Sequence, residues 1–449
     1  VTETLPPKSE FERVRISQQD LMTALALHRD FLEGRGSGRA QLKLHDLSNL
    51  DLSGQMLRDA DMSGARLFSA RLVGADLRRV NLFAADLRLA MMDRVDVSQA
   101  DMRGVCLRGA SLNEATMVDV DLRNGTLMRK SRNGLQIVTI EAENLVAELT
   151  CASMRSSDLS RAKLSNGFVM QTDLTDAILR GANLTGTNMA GSDLSGCDLT
   201  GADLTGCDLS GCNLVGSVLT DARVVDAKLQ GASLIGAILD RTDFRHTDLS
   251  QTDRTRPLDE IGLYKILKAH GEWVESGGSR GERADLGGFD LGRRDLDGAL
   301  LSAAMLSAAV LVGASLRRVA MAMADLSFAD LRRVDAEKAD WRGINLSRAT
   351  LDDAVLVGAR LGPVPIGGGQ NVLWRANLTR ARLERADLSV ADLTNAQLEH
   401  ARLAGAVLRG TNLKSANLAY ADLSGADLTG ANLEGANLQG TVTRGAIGL

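Results

Sequence analysis

Aromatic side chains make up only 3% of this 449-residue chain: eight Phe, three Trp and two Tyr. A mixed globular core of this length normally uses many more large rings, so small and branched aliphatic residues in a repetitive frame are expected instead. Five cysteines are too few for a disulfide scaffold. Charge of one sign is also scarce. With 52 basic and 57 acidic side chains the formal net charge is −5, which argues against a strongly cationic surface, and direct nucleic-acid binding is not expected. The first residues, VTETLPPKSEFERV, lack the basic-then-apolar pattern of a secretory signal, and a cytoplasmic location is expected. The longest uncharged run, which includes LLSAAMLSAAVLVGASL, keeps the leucine spacing of its surroundings, so no membrane span is expected.

What the chain has is a period. Leucine or a substitute recurs every fifth residue from Leu42 to Leu127, again from Leu149 to Leu249, from Leu286 through Trp341 to Ile366, and from Leu373 to Leu438. A small residue, most often alanine, stands two positions before each centre, as at Ala60, Ala65, Ala70 and Ala75. The stretch ADLSGADLTGANLEGANLQG at 421–440 is the unit in clean form. Five fits neither a 3.6-residue helix nor a period-2 strand. Alanine and leucine two apart point to one side of an extended segment, and the following pair, often Ser-Gly or Thr-Gly, supplies a turn. Short extended pieces joined by repeated turns must close into a coil. Four units per coil put a leucine on each face, and stacked coils bury them. Cys197, Cys207 and Cys212 each replace the alanine of a unit, so they are expected to be small core residues. No histidine lies near them in sequence, and no metal site is expected there.

About seventy units of the form A-(D/N)-L-x-x cover about three quarters of the chain. This pattern resembles the pentapeptide-repeat family. The resemblance implies an all-β solenoid, a right-handed quadrilateral β-helix, and is nearly silent on function.

The chain also looks duplicated. LMTALALHRDFLEGRGSGRAQL at 21–42 matches LYKILKAHGEWVESGGSRGERADL at 263–286: Leu21 aligns with Leu263, His28 with His270, and Phe31 with Trp273. Leu263, Ile266, Leu267 and His270 have helical spacing, and Asp259 is a candidate N-cap. A β-helix end exposes strand edges and an open apolar core, which an amphipathic helix would cover. Two modules are therefore expected, each preceded by a short capping α-helix: a flexible N-terminus at 1–15, module one at 16–254 and module two at 255–449. The histidines are read as packed under the caps, since no nucleophile or carboxylate accompanies both.

The phase slips once in each module, by two residues beyond whole units, between Ile137 and Leu149 and between Ile366 and Leu373. A bulge is expected at each slip, with protruding loops at 128–148 and at LGPVPIGGGQNVL, 361–373. The latter lacks the Lys-Ser/Thr of a phosphate-binding loop, so no nucleotide is expected. Nor is there a triad, a metal cluster or a cofactor fingerprint, and no enzyme activity or cofactor is expected.

The function expected is a non-enzymatic scaffold, a rigid β-helical rod binding other proteins through faces, corners and loops. Val215, Val218, Ile235 and Ile238 repeat at a twenty-residue interval and are the candidate protein-binding corner. The resemblance implies two alternatives. One is a DNA-mimic modulator of a type II topoisomerase, DNA gyrase, although the column Asn183, Asp203, Arg223, Asp243 interrupts the acid row such mimicry needs. The other is a delivered bacterial effector. At the C-terminal end, regular units are read through Leu438 and only TVTRGAIGL follows, too short and glycine-broken for a capping helix. A homodimer through about residues 420–449 is expected, involving Leu433, Leu438, Val442 and Ile447. A self-plug by Val442, Ile447 and Leu449 is the competing outcome.

Overall fold

Each five-residue unit builds one side of a coil. Leu57 shows how: its carbonyl accepts the N–H of Ala60 at 3.0 Å, and Asp59 between them has φ 64°. This turn needs a left-handed residue before the alanine. Glycine supplies it without strain at Gly201, Gly206 and Gly211. The next polar residue then bridges, in parallel, to its counterpart twenty positions on: Asp61 to Asn81, and Asn81 to Asp101. Four sides thus close one coil. Neighbouring coils are tied by backbone bonds such as Leu42 N–H to the Asp61 carbonyl, 2.7 Å, and Asp61 N–H to the Ala40 carbonyl, 3.1 Å.

Leucine and alanine slots face the interior. Leu57, Leu77, Ala60 and Ala75 are fully buried. The space enclosed by Leu388, Leu393, Leu398, Leu403, Leu408, Leu413 and Leu418 is too small to hold a water molecule. At several alanine slots that hold Ser, Thr or Cys the side chain donates to the carbonyl of the leucine slot one coil back, whereas Ser157 and Ser217 donate within their own turn to Met154 and Leu214. Thr172 donates to Leu149 at 2.9 Å, Thr187 to Leu164 at 2.9 Å, Cys197 to Leu174 at 2.9 Å, Cys207 to Leu184 at 2.8 Å and Cys212 to Met189 at 3.0 Å. The carbonyls of Leu149 and Leu174 already accept a turn N–H, so the thiol or hydroxyl fills the second lone pair. The three cysteines are accordingly buried.

The computed structural model describes residues 14–36, 38–125, 127–131, 134–138, 146–366 and 372–449. Most of the N-terminal segment expected to be flexible, 1–13, lies outside them. The chain divides into two compact units, Val1–Ser233 with Leu239–Thr252, and Leu234–Ile238 with Asp253–Leu449.

In the first unit, β1 (Val14–Arg15) leads into α1 (Gln18–Leu32), which is N-capped by Ser17 and buries Leu21, Leu25 and His28. β1 pairs in parallel with β2 (His45–Asp46) on the first coil. Later, β3 (Leu127–Ser131) and β4 (Gly134–Val138) form an antiparallel hairpin. The second unit repeats the opening. β5 (Arg256–Pro257) leads into α2 (Glu260–Glu275), N-capped by Asp259, and β5 pairs in parallel with β6 (Phe289–Asp290). Leu263 joins the leucine core, with Leu258, Ile266 and Leu267 packed against it. A second antiparallel hairpin joins β7 (Val364–Ile366) to β8 (Val372–Trp374).

These hairpins correct the expectation of simple bulges. Coil bridging passes over them, from Cys106 to Glu148 and from Asn345 to Asn377. Leu127, Ile137, Ile366 and Leu373, which the five-residue phase counts as coil centres, stand instead in hairpin strands. The C-terminal reading is corrected too. Val442 bridges Asp422 and Ile447 bridges Asp427, so the repeat runs on past Leu438. Leu433, Leu438, Thr443 and Gly448 then occupy the leucine slots of that coil. A methyl group on Gly448 would lie 2.5 Å from the Thr429 nitrogen, so the backbone itself closes in beneath Leu428, which stays fully buried.

Candidate interaction surfaces

The outward positions are the polar residue before each leucine, the residue after it, and the left-handed corner. The Asp or Asn before the leucine turns back on its own chain: Asp193 accepts the Ser195 N–H at 2.9 Å, and Asp46 the Ser48 N–H at 3.0 Å. Arginines then pair with these carboxylates. On one side of a coil Arg78 meets Asp76 at 2.6 Å and Arg103 meets Asp101 at 2.7 Å. Along the corners the pairing reaches the neighbouring coil, Arg79 to Asp59 at 2.7 Å, Arg161 to Asp119 at 2.6 Å and Arg385 to Asp353 at 2.7 Å. Hydrogen bonds from Arg79, Arg78, Arg241 and Arg385 hold the carboxyls of Asp59, Asp76, Asp221 and Asp353 below the usual carboxylate range. The Thr429 and Arg409 side chains bring Asp427 down to about 2. Asp352 is the opposite case: burial outweighs its partner Arg382, 3.0 Å away, and raises it.

The stretch 181–222 has no basic residue of its own, yet its acids find partners in adjoining coils. Asp198 meets Arg180 at 2.6 Å, Asp203 meets Arg223 at 3.8 Å and Asp208 meets Lys228 at 3.7 Å.

Of the apolar corner, Val218 and Ile238 are 6% and 4% exposed, so the chain itself covers them. Val215 and Ile235 are half-buried. Within the second unit, Ile235 Cγ2 lies 2.8 Å from where a methyl group on Gly288 would stand, and Gly236 lies as close to Ala308.

The two helix-borne clusters are built alike. His28 and His270 are fully buried. His28 stacks on Phe31 with ring centroids 5.8 Å apart, and His270 on Trp273 at 5.5 Å. In the last coil Leu433 is half-buried and Leu438 is 39% exposed, while Val442 and Ile447 sit in the outward columns opposite Asp422 and Asp427. Val442, Ile447 and Leu449, at 49%, 56% and 58% exposure, therefore do not fold back as a plug.

Sequence reasoning marked 361–373 as a loop but missed what it carries. In β8, Val372, Leu373 and Trp374 are all about half exposed. Val364 pairs with Trp374 and Ile366 with Val372, which places all four on one face of the hairpin. The signal was present: two short apolar runs flanking a glycine-rich centre are a hairpin pattern. The tip, 367–371, lies outside the described residues. A second missed feature is a corner column in the second unit, where Arg348 lies over Phe328, 5.2 Å to the centroid, and His400 stacks on Tyr420 at 5.2 Å.

Among the described residues, no group of three or more His, Cys, Asp or Glu side chains could hold a metal ion, and no helix is long and apolar enough to cross a membrane.

A family model described as pentapeptide repeats matches residues 46–82, 90–127, 177–216, 197–234, 217–253, 295–333, 329–362, 372–410 and 406–445, more than half of the chain. Among solved structures, full-length QnrB1, a plasmid-mediated fluoroquinolone resistance protein, is 20% identical over 46% of this chain and 94% of its own, with a TM-score of 0.28. A pentapeptide repeat protein from the thylakoid lumen of Arabidopsis thaliana is 28% identical over 25% of this chain and 74% of its own, TM-score 0.18. HetL, a pentapeptide repeat protein involved in heterocyst differentiation regulation in the cyanobacterium Nostoc, is 22% identical over 93% and 94%, TM-score 0.13. No curated protein sequence matches the chain.

Proposed function

The chain belongs to the pentapeptide-repeat family, with the right-handed β-helix of that family, and we propose that it serves as a non-enzymatic scaffold that binds other proteins. The observation that carries this reading is the β7–β8 hairpin. Three large apolar side chains, Val372, Leu373 and Trp374, stand about half in solvent beside a coil whose interior residues Leu346, Leu351, Leu356 and Leu361 are fully buried. Apolar groups offered on a firm support are the usual anchors of a protein contact. The paired carboxylates of 181–222 weigh against mimicry of DNA, whose phosphates present an uncompensated row; no inhibition of gyrase supercoiling is expected at micromolar protein.

In this reading α1 and α2 cap the first coils of two modules, near 16–254 and 255–449. The partly exposed Leu433 and Leu438, with the unpaired edge around them, join a second copy. A partner retained by the unaltered chain in cross-linking and lost with Leu373→Asp, at unchanged circular dichroism, supports the scaffold; equal capture by both removes the hairpin as the anchor. Sedimentation equilibrium separately tests the dimer, which a single monomer mass at all micromolar concentrations overturns.

A further inference from the structure

The two buried histidines do the same unusual thing. Nδ1 of His28 accepts the backbone N–H of Ala40 at 3.1 Å, and Nδ1 of His270 accepts that of Ala284 at 3.0 Å. Ala40 and Ala284 occupy the small-residue slots that start the first coil of each unit, just before Leu42 and Leu286. Each imidazole therefore ties a helix to the start of a β-helix through a lone pair. Nε2 of His28 faces the Arg58 carbonyl at 3.0 Å, which fixes the neutral ring with its proton on Nε2.

We propose that these are acid-sensitive latches: a proton taken up at Nδ1 replaces the acceptor of the alanine N–H by a second donor, and lets α1 or α2 lift from its first coil.

The surroundings oppose the charge. Burial is the main influence on both rings and lowers both below the ordinary histidine value. Around His28, the coil contributes Asp59, which favours the cation, and the Arg58 carbonyl; the linker contributes Arg39, which opposes it. Around His270, the linker contributes Arg283, which opposes the cation, and no carboxylate side chain offsets it; only the backbone at Ser302 and Glu282 does so in part. Among the described residues, Nε2 of His270 also lacks a well-formed hydrogen bond. α2 is thus the more sensitive of the two.

The sign follows from the direction of the shift. A histidine depressed in the closed form binds its proton more readily when the helix is open. The latch holds at and above the ordinary value of 6.5 and weakens as pH falls below it. Lifting α2 would uncover the Leu286, Leu291, Leu296 and Leu301 layer, which is otherwise buried.

Hydrogen exchange on the full chain tests this through the peptide containing Ala284. After correction for intrinsic rates, protection should fall about tenfold between pH 7.5 and 5.5. In His270→Asn, whose side-chain carbonyl keeps an acceptor near the Nδ1 position but does not titrate, the ratio of protections at the two pH values should be close to one. The ratio decides, so a weakened variant still reports. A pH-independent ratio in the unaltered chain, or the same fall in His270→Asn, overturns the proposal.

Discussion

The indole of Trp374 lies against Gly343: its Nε1–H donates to the Gly343 carbonyl at 2.8 Å, and a methyl group on Gly343 would stand 2.7 Å from Trp374 Cδ1 and 3.3 Å from Val364 Cγ2. The β7–β8 hairpin is therefore seated on a coil corner at a place where only a hydrogen fits. Gly343 also has φ 63°, a conformation that alanine adopts with strain.

Gly343→Ala should lift the hairpin and destabilise the second unit by about 1–3 kcal/mol. Trp374→Phe, which keeps the ring and loses one hydrogen bond, should cost about 1 kcal/mol. Urea denaturation with equal m-values for both variants checks the pair. A Gly343→Ala chain as stable as the parent would show that the seat is not used.

Trp341 and Ala336 occupy successive leucine slots of one coil, and both are fully buried. A large ring in one slot and a methyl in the next point to a traded volume. Ala336→Leu should overpack that coil and cost about 1–3 kcal/mol, whereas Ala336→Leu combined with Trp341→Leu should recover most of the loss. Nε1 of Trp341 has no hydrogen-bond partner among the described residues, so leucine there forfeits no polar contact with them. A double variant at the sum of the two single costs would refute the trade.

Much of the fold could be read from residue identities because packing and period are the same fact here. Alanine at Ala60 and leucine at Met62 or Leu67 positions are the interior, so the pattern of side chains is the pattern of burial. The hairpins escaped for a specific reason. Leu127 falls five residues after Leu122, and Ile366 five after Leu361, so apolar hairpin residues counterfeit the phase of the coil. Val218 and Ile238 show a different limit. They stand in outward columns, Val218 opposite Asp198, but are covered by the chain, and local spacing carries no information about cover supplied from a distance. The histidine pair was visible as an alignment; the lone-pair contact to Ala40 and Ala284 was not, since it depends on where a helix docks.

The cysteines give a sorted reactivity. Burial pushes the thiols of Cys207 and Cys212 up to about 12, and that of Cys197 upward as well. Cys151 is exposed and Cys106 half-buried with a raised thiol. In a thiol-exchange assay at pH 8 Cys151 should react first, Cys106 slowly, and Cys197, Cys207 and Cys212 only on unfolding. Replacing Cys207 by Ser should preserve the bond to the Leu184 carbonyl, and Cys207→Ala should cost more than Cys207→Ser. Five rapid thiols in the native protein would contradict the packing.

Acid should weaken the molecule through its corner pairs. Asp59, Asp76 and Asp353 are held below their ordinary value by arginine hydrogen bonds, so the folded form binds fewer protons than the unfolded one. Their contribution is complete above about pH 4 and is lost as pH falls through the depressed values. The urea midpoint should therefore fall as pH drops below about 4. Asp59→Asn should flatten part of that drop; an unchanged slope would mean that the pair with Arg79 contributes nothing.

Bridging that leaps from Cys106 to Glu148 and from Asn345 to Asn377 leaves the lattice on either side in register. The architecture therefore counts turns of the coil and ignores whatever is spliced between them. Each hairpin is a parenthesis in the chain: apart from residues that seat it on the coil, such as Trp374 on Gly343, its contents can be rewritten, lengthened or exchanged for a foreign epitope while the sentence around it still parses. Evolution, or an engineer, can vary what the corner says without touching what holds it up.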